Sequence, residues 1–298
     1  MQEPALQTVL ANRFVLLEKV GEGGDRASAY EALAEHQQEL LSEPAAEQYM
    51  INAARLFELY SLKYLGGIRE ARRRIEEYER DAAYRNDGFM LTGVRWFSSL
   101  VYLAEDRVDK ARRVLQGTHW RAEGGQMKVY EIQRAISHAE IALYTGEVRE
   151  RRKEVEEGLR QAADSHVGKA AAELRSLSIW MLGRLALSSA EPVNGRTRTL
   201  IRRSVEKLDA EYLELFAMWA RLLEAGLANR EGDASTARSM LRRAIKIGRD
   251  HDVDMFVACA RFQLGRLLSE DAADEARDQA MEWMSAEGVV APERFARI

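Results

Sequence analysis

One cysteine, Cys259, stands among 298 residues. A disulfide framework and a cysteine zinc cluster within one chain are therefore excluded. Only four prolines interrupt the chain, which leaves room for long helices. No apolar run reaches membrane-spanning length. The most apolar stretch, Leu177 to Leu187, is about half of the roughly 20 residues such a helix needs, and Arg184 interrupts it. Neither sign of charge prevails. The net charge is −4 and the pI about 5.9, so no global field draws the chain to nucleic acid or to an anionic membrane. The opening Met1-Gln2-Glu3-Pro4 lacks the basic start and apolar core of a signal peptide, and a cytoplasmic setting is expected.

Chemistry-bearing clusters are scarce as well. His36, His119, His138, His166 and His251 are scattered singly, and His251-Asp252 alone cannot fill a metal's coordination sphere. No serine sits in a Gly-x-Ser-x-Gly elbow. Cys259 lies on an apolar helical pattern with Arg261 as its nearest basic residue, which reads as a buried structural thiol. The expectation is no catalytic residue, no metal and no cofactor.

What is present is helical periodicity nearly everywhere. Leu213 to Leu227 reads as one apolar-striped helix, Glu231-Gly232-Asp233 as a turn, and Ala234 to Gly248 as a second helix. Ala237, Leu241, Ala244 and Ile245 share one face of that second helix. The same unit recurs. Turn signals fall near 24, 67, 106, 146, 195, 232 and 271, at steps of 43, 39, 40, 49, 37 and 39. The long step coincides with an extra loop at Ser188 to Gly195. Ala71, Ala111, Ala237 and Ala276 lie four or five residues past their turns, where a small side chain lets two helices approach closely. A fixed period of about 40 residues is the mark of a stacked helical array, and an irregular helical bundle is the alternative. No linker rich in glycine, serine or proline divides the chain. One domain over 1–298 is expected, with a looser break near 188–195 and residues 291–295 as a tail leaving the last helix.

The unit resembles a divergent tetratricopeptide repeat. Leu264-Gly265-Arg266-Leu267-Leu268 is similar to that family's first-helix stretch, and Ala276 falls close to its second-helix alanine. The resemblance implies an all-α, TPR-like α-solenoid of about seven helix-turn-helix repeats wound as a right-handed superhelix. Trp219 to Ala228 with Gly232-Asp233 and Ala237, and Ala260 to Leu268 with Trp283-Met284 and Pro292 to Arg294, resemble helical regions of large bacterial signalling proteins. In those proteins the repeats lie C-terminal to a serine/threonine kinase or a STAND-type ATPase. That implies a regulatory, partner-binding or self-associating region, with the catalytic part elsewhere or in the same, longer polypeptide. Arg13 to Gly24 also looks like a kinase strand and glycine-rich loop. Arg26 replaces its third glycine and no kinase motifs follow, so a helix ended by glycines explains it better.

Arginine recurs in the first helix of each pair, at Arg13, Arg55, Arg95, Arg134, Arg175, Arg221 and Arg261. Stacked repeats would bring these guanidinium groups into a line bordering the concave face, where they could grip carboxylates or phosphates. Pairing with glutamates of adjoining helices, such as Glu58, Glu173 and Glu224, is the structural alternative. Arg55, Arg95, Arg134, Arg175 and Arg221, with Asn52, Trp96, Gln133 and His138 nearby, form the expected partner-binding set. A second basic row, including Arg72-Arg73-Arg74, Arg112-Arg113 and Arg242-Arg243, is offset by acidic neighbours and reads as a mixed-charge outer face. The expected function is a non-catalytic interaction module binding a protein or peptide. A nucleic-acid-binding array and a homotypic assembly module are the alternatives, the first disfavoured by charge.

Overall fold

A computed structural model describes residues 48–116, 128–147, 153, 155–161, 172–188, 192–211 and 213–297. The expected turn near 24, and Arg13, lie outside the described residues. Among those described, every regular element is a helix. The elements are α1 (Gln48–Leu65), α2 (Ile68–Tyr84), α3 (Gly88–Ala104), α4 (Val108–Gln116) and α5 (Lys128–Thr145). After helical residues 155–161 come α6 (Ala172–Leu187), α7 (Gly195–Asp209), α8 (Glu214–Arg230), α9 (Ala234–Asp250), α10 (Asp254–Gly265), α11 (Glu270–Ala286) and the short α12 (Pro292–Phe295). They pair as neighbours, α1 with α2, α3 with α4, α6 with α7, α8 with α9, and α10 with α11, while Gly158 of 155–161 packs on Ala135 of α5.

The two members of a pair differ in kind. Second helices are amphipathic. In α2 the buried residues are Ile68, Ala71, Ile75, Tyr78 and Ala82, alternating three and four apart along one face. First helices are apolar on nearly every side. In α3 almost everything from Met90 to Ala104 is buried, with Leu91 and Arg95 the partial exceptions. A helix apolar all round belongs in an interior, so the first helices form the inside and the second helices the shell. Ala71, Ala111 and Ala237 are buried as their spacing predicts. In the last pair Ala276 is only half-buried, and Ala273 and Ala280 take the close contacts.

Many of the turns share one backbone solution. Gly66, Asn86, Asp106, Gly232, Asp252 and Gly288 all have positive φ. In each case the next residue's N–H reaches back to a carbonyl of the last helical turn, as in Gly67 N to Leu62 O at 2.8 Å and Asp233 N to Ala228 O at 2.9 Å. This closes the carbonyls that a helix end leaves unpaired. Side-chain caps start the next helix: Asp87 accepts from Met90 N at 2.9 Å, and Asp233 from Thr236 N at 3.0 Å. The turn inside the last pair, between α10 and α11, differs from its expected place at Asp271. Ser269 is the N-cap residue, and α11 already runs from Glu270.

A linear array touches only its neighbours. This chain also joins pairs far apart. Lys63 in α1 bonds Glu140 in α5. Trp219 in α8 is fully buried; it stacks on Trp180 of α6 at 5.8 Å and 11°, and meets Tyr64 of α1 at 6.1 Å and Phe256 of α10 at 5.9 Å. One continuous apolar core runs from Leu59 to Ala296. Residues 291–295, expected as a departing tail, instead fold back as α12 against α5, with Phe295 fully buried. Burying one phenylalanine is worth about 1.5–3 kcal/mol, ample to hold a short segment down.

Candidate functional site

The arginine row lies where a second helix hands over to the next first helix. Arg55 pairs with Asp81 of α2 and covers the Tyr78 ring at 4.9 Å. Arg85 also binds Asp81, at 2.8 Å; the two guanidinium groups, Arg85 foremost, hold that carboxyl below the ordinary aspartate range. Arg95 faces Glu79 at 3.7 Å and Arg175 binds Glu211 at 2.6 Å. Arg221 pairs with Asp209 and, at 3.0 Å, with Glu224. Arg134 is exposed. Burial lowers the Arg261 guanidinium from its usual value, and nearby Arg249 adds to this. Four members of the row therefore already hold a carboxylate of this chain.

The neighbouring expected residues fall in different places. Asn52 is buried; it donates to Asp87 and accepts from Gln48. Trp96 and Gln133 are buried, so a partner reaches them only if the first helices part. His138 is half-buried on the wall of a small crevice with Arg112, Gln116, Ile141, Ala142 and Glu147. The structure thus does not gather the nine residues into one surface.

It gathers another set, at the end of the array where first helices α1, α3, α5, α6 and α10 finish. Residues 287–297 lie across these ends. Glu287 accepts from Arg69 N at 2.9 Å, beside α1, and Val290 N donates to Ala104 O at 2.8 Å, the last residue of α3. Arg294 Nη1 sits 2.6 Å from Asp106 Oδ1, and its guanidinium covers the Tyr144 ring at 4.4 Å. The Tyr144 hydroxyl donates to the same Asp106 oxygen at 2.7 Å. Burial, and then the Asp106 carboxylate, push that hydroxyl above the usual tyrosine range. Gln263 of α10 donates to Ala296 O at 3.0 Å, and Arg184 of α6 donates to Arg297 O. Arg184 lies over Trp180 at 5.0 Å, and burial pulls its guanidinium down to about 10, still charged at neutral pH.

Beside this seat opens a cleft of about 560 Å³. Arg107, Lys110, Arg112, Arg113 and Arg294 line it, against Asp106, Asp109 and Glu147. Among the described residues no group of three or more His, Cys, Asp or Glu side chains could hold a metal. Burial pushes the Cys259 thiol up to about 12, which leaves it un-ionised and a poor nucleophile at neutral pH. Among the described residues no helix is long and apolar enough to cross a membrane.

Helix pairs of this kind, stacked six deep among the described residues, can be set beside known proteins. No family model matches the chain. No curated protein matches it. A solved structure does: the crystal structure of Rap protein complexed with Competence and Sporulation Factor, at a TM-score of 0.64 and 14% identity. The match covers 95% of this chain and 77% of that one. The fold is an all-α, TPR-like helical repeat. At that identity the likeness speaks for the fold alone.

Asp106, Tyr144, Arg184 and Gln263 carry no sequence motif, and 188 positions separate Asp106 from Arg294. One local sign was readable. At the turn inside a pair, glycine holds the positive-φ position in Gly66, Gly146 and Gly232, and aspartate holds it at 106.

Proposed function

We propose that this chain is a non-catalytic interaction module that binds a protein or peptide partner. One observation carries the reading. The ends of the first helices already hold a segment of chain through side-chain donors aimed at main-chain carbonyls, Gln263 to Ala296 O and Arg184 to Arg297 O. That mode recognises a backbone and leaves neighbouring contacts to read side chains. The TPR-like fold supports it, as does the Rap structure, which was obtained with Competence and Sporulation Factor bound. The reading places the module in a bacterial signalling protein, in the cytoplasm, with a kinase or ATPase domain as one candidate partner. The arginine row supplies secondary anchors: Arg55, Arg95, Arg175 and Arg221 exchange an internal carboxylate for a partner's.

Affinity capture with the full chain, followed by cross-linking and mass spectrometry, tests it. Expected are cross-links from a specific protein or peptide to residues near Asp106, Tyr144 and Gln263. Turnover of a small substrate, with no saturable protein or peptide ligand, would overturn it.

A further inference from the structure

The seat that residues 287–297 occupy is built for particular chemistry. Its cation receptor is Asp106, braced by the Tyr144 hydroxyl at 2.7 Å, with the Tyr144 ring as the second wall. A carboxylate beside an aromatic face binds a guanidinium through a charged hydrogen bond and a cation–π contact together. The C-terminal ends of α3 and α5 flank it at Ala104 and Thr145, and the partial negative charge of helix ends favours the same cation. Asp106 accepts positive φ, 56°, at a position where the neighbouring pairs use glycine. Aspartate enters this region more readily than most side chains, as Asp252 and Asn86 do at other turns, so Asp106 keeps the turn and adds a side chain to it. Its carboxylate is the feature glycine lacks, and that carboxylate holds Arg294 and Tyr144.

Next to the receptor the seat takes an aromatic side chain, Phe295, completely out of solvent. Beyond it Gln263 and Arg184 donate to two successive carbonyls. The carbonyls at a helix end lack internal partners, so a short helical turn ending there is matched to these donors. The occupant joins the rest of the chain through Val290, which is 65% exposed.

We propose that this seat is a recognition site for a segment bearing an arginine followed by an aromatic residue, and that residues 291–297 are its intramolecular occupant. A partner segment of the same chemistry binds by displacing them. The inference rests on the reading of the chain as a protein- or peptide-binding module, and it names the partner's chemistry.

The test inserts a specific protease site after Val290 in the full chain, so that cutting leaves the occupant held without a covalent link. A fluorescent peptide of residues 291–298 is then titrated into the cut and uncut chains and followed by anisotropy, with circular dichroism reporting the fold. Expected is saturable uptake by the cut chain, at least tenfold weaker uptake by the uncut chain, and about threefold or greater weakening by Asp106→Asn or by Arg294→Ala in the peptide. A cut chain that keeps its helicity yet ignores the peptide, or takes a scrambled one equally well, overturns the proposal. So does a cut chain that unfolds, since the segment is then a structural cap. Uptake of this peptide by a chain for which capture finds no foreign partner would leave the seat standing and remove the partner-binding reading instead.

Discussion

Lys63 and Glu140 form the sharpest test of how this array is closed. Their side chains are 4% and 2% exposed, and Nζ lies 2.8 Å from Oε1 and 2.9 Å from Oε2. At an effective dielectric of about 20 such a contact is worth roughly 6 kcal/mol of attraction. Most of that offsets the desolvation of both charges. Removing one partner leaves the other charge buried and costs about 3–5 kcal/mol. The two single changes are not equivalent. After Lys63→Met, Glu140 still feels the Arg184 charge, which couples to it. After Glu140→Leu, Lys63 and Arg184 both lose their counter-charge, so this variant is the less stable of the two. The double variant Lys63→Met/Glu140→Leu recovers most of the loss, because an apolar pair of similar volume needs no desolvation, and stays below the parent by what the Arg184 guanidinium loses with Glu140. Urea unfolding of the four proteins, followed by circular dichroism and tryptophan fluorescence, measures the coupling. The pair joins the first helix pair to the third, so both probes should report one transition for the parent and separate in the single variants. Single variants within about 1 kcal/mol of the parent, or effects that simply add, would refute the reasoning.

Three further predictions follow from the turns and their ions. A methyl added at Gly66 would stand 2.7 Å from Met255 N and 2.8 Å from the Trp283 ring, whereas at Gly232 nothing lies within 4 Å. Both have positive φ, so Gly232→Ala reports backbone strain alone, about 1 kcal/mol; Gly66→Ala should lower the melting temperature distinctly more, and equal losses would mean the first and last pairs do not meet. Asp87→Ala removes the cap on Met90 N and the bond from Asn52, and should cost about 1–2 kcal/mol in urea unfolding, with Asp87→Asn recovering much of it. The Asp81 carboxyl is depressed in the folded state, so its contribution is present above the unfolded aspartate value and is lost as pH falls through the lower folded one. Solvent screens that ion pair, so the contribution is small, about 0.5 kcal/mol, and Asp81→Asn should lower the neutral plateau of the melting-temperature profile by that amount and converge with the parent in acid, which flattens the acid limb.

The repeat itself was legible because helix faces and turns are local. Ile68, Ala71, Ile75 and Tyr78 announce a buried stripe by spacing alone, and Gly66 and Gly232 mark turns that need positive φ. The arginine row was also visible as a period. Its local geometry was not, because the side-chain partners come from the preceding or same pair: Asp81 for Arg55, Glu79 for Arg95, Asp209 for Arg221. Of the acidic partners expected for the row, Glu224 does meet Arg221, while Glu58 is taken by Arg74 at 3.0 Å and by the Tyr78 hydroxyl. Trp96 and Gln133 read as groove residues only on the assumption of an open inner wall. The all-apolar character of α3 already argued against that, since a wetted wall would leave one face polar.

By itself, then, the order of residues determined the helices, their pairing and most of the turns. Those features depend on neighbours within about one turn of chain. Only the tertiary structure decided that the array closes on itself, through Lys63 with Glu140 and Tyr64 with Trp219, and that Phe295 returns to the ends of the first helices. Small rotations between successive pairs accumulate along the stack, and their sum fixes which distant residues meet. No local pattern carries that sum, so beyond the aspartate at a turn position that glycine holds in neighbouring pairs, the Asp106, Tyr144 and Arg294 seat had no signature to read.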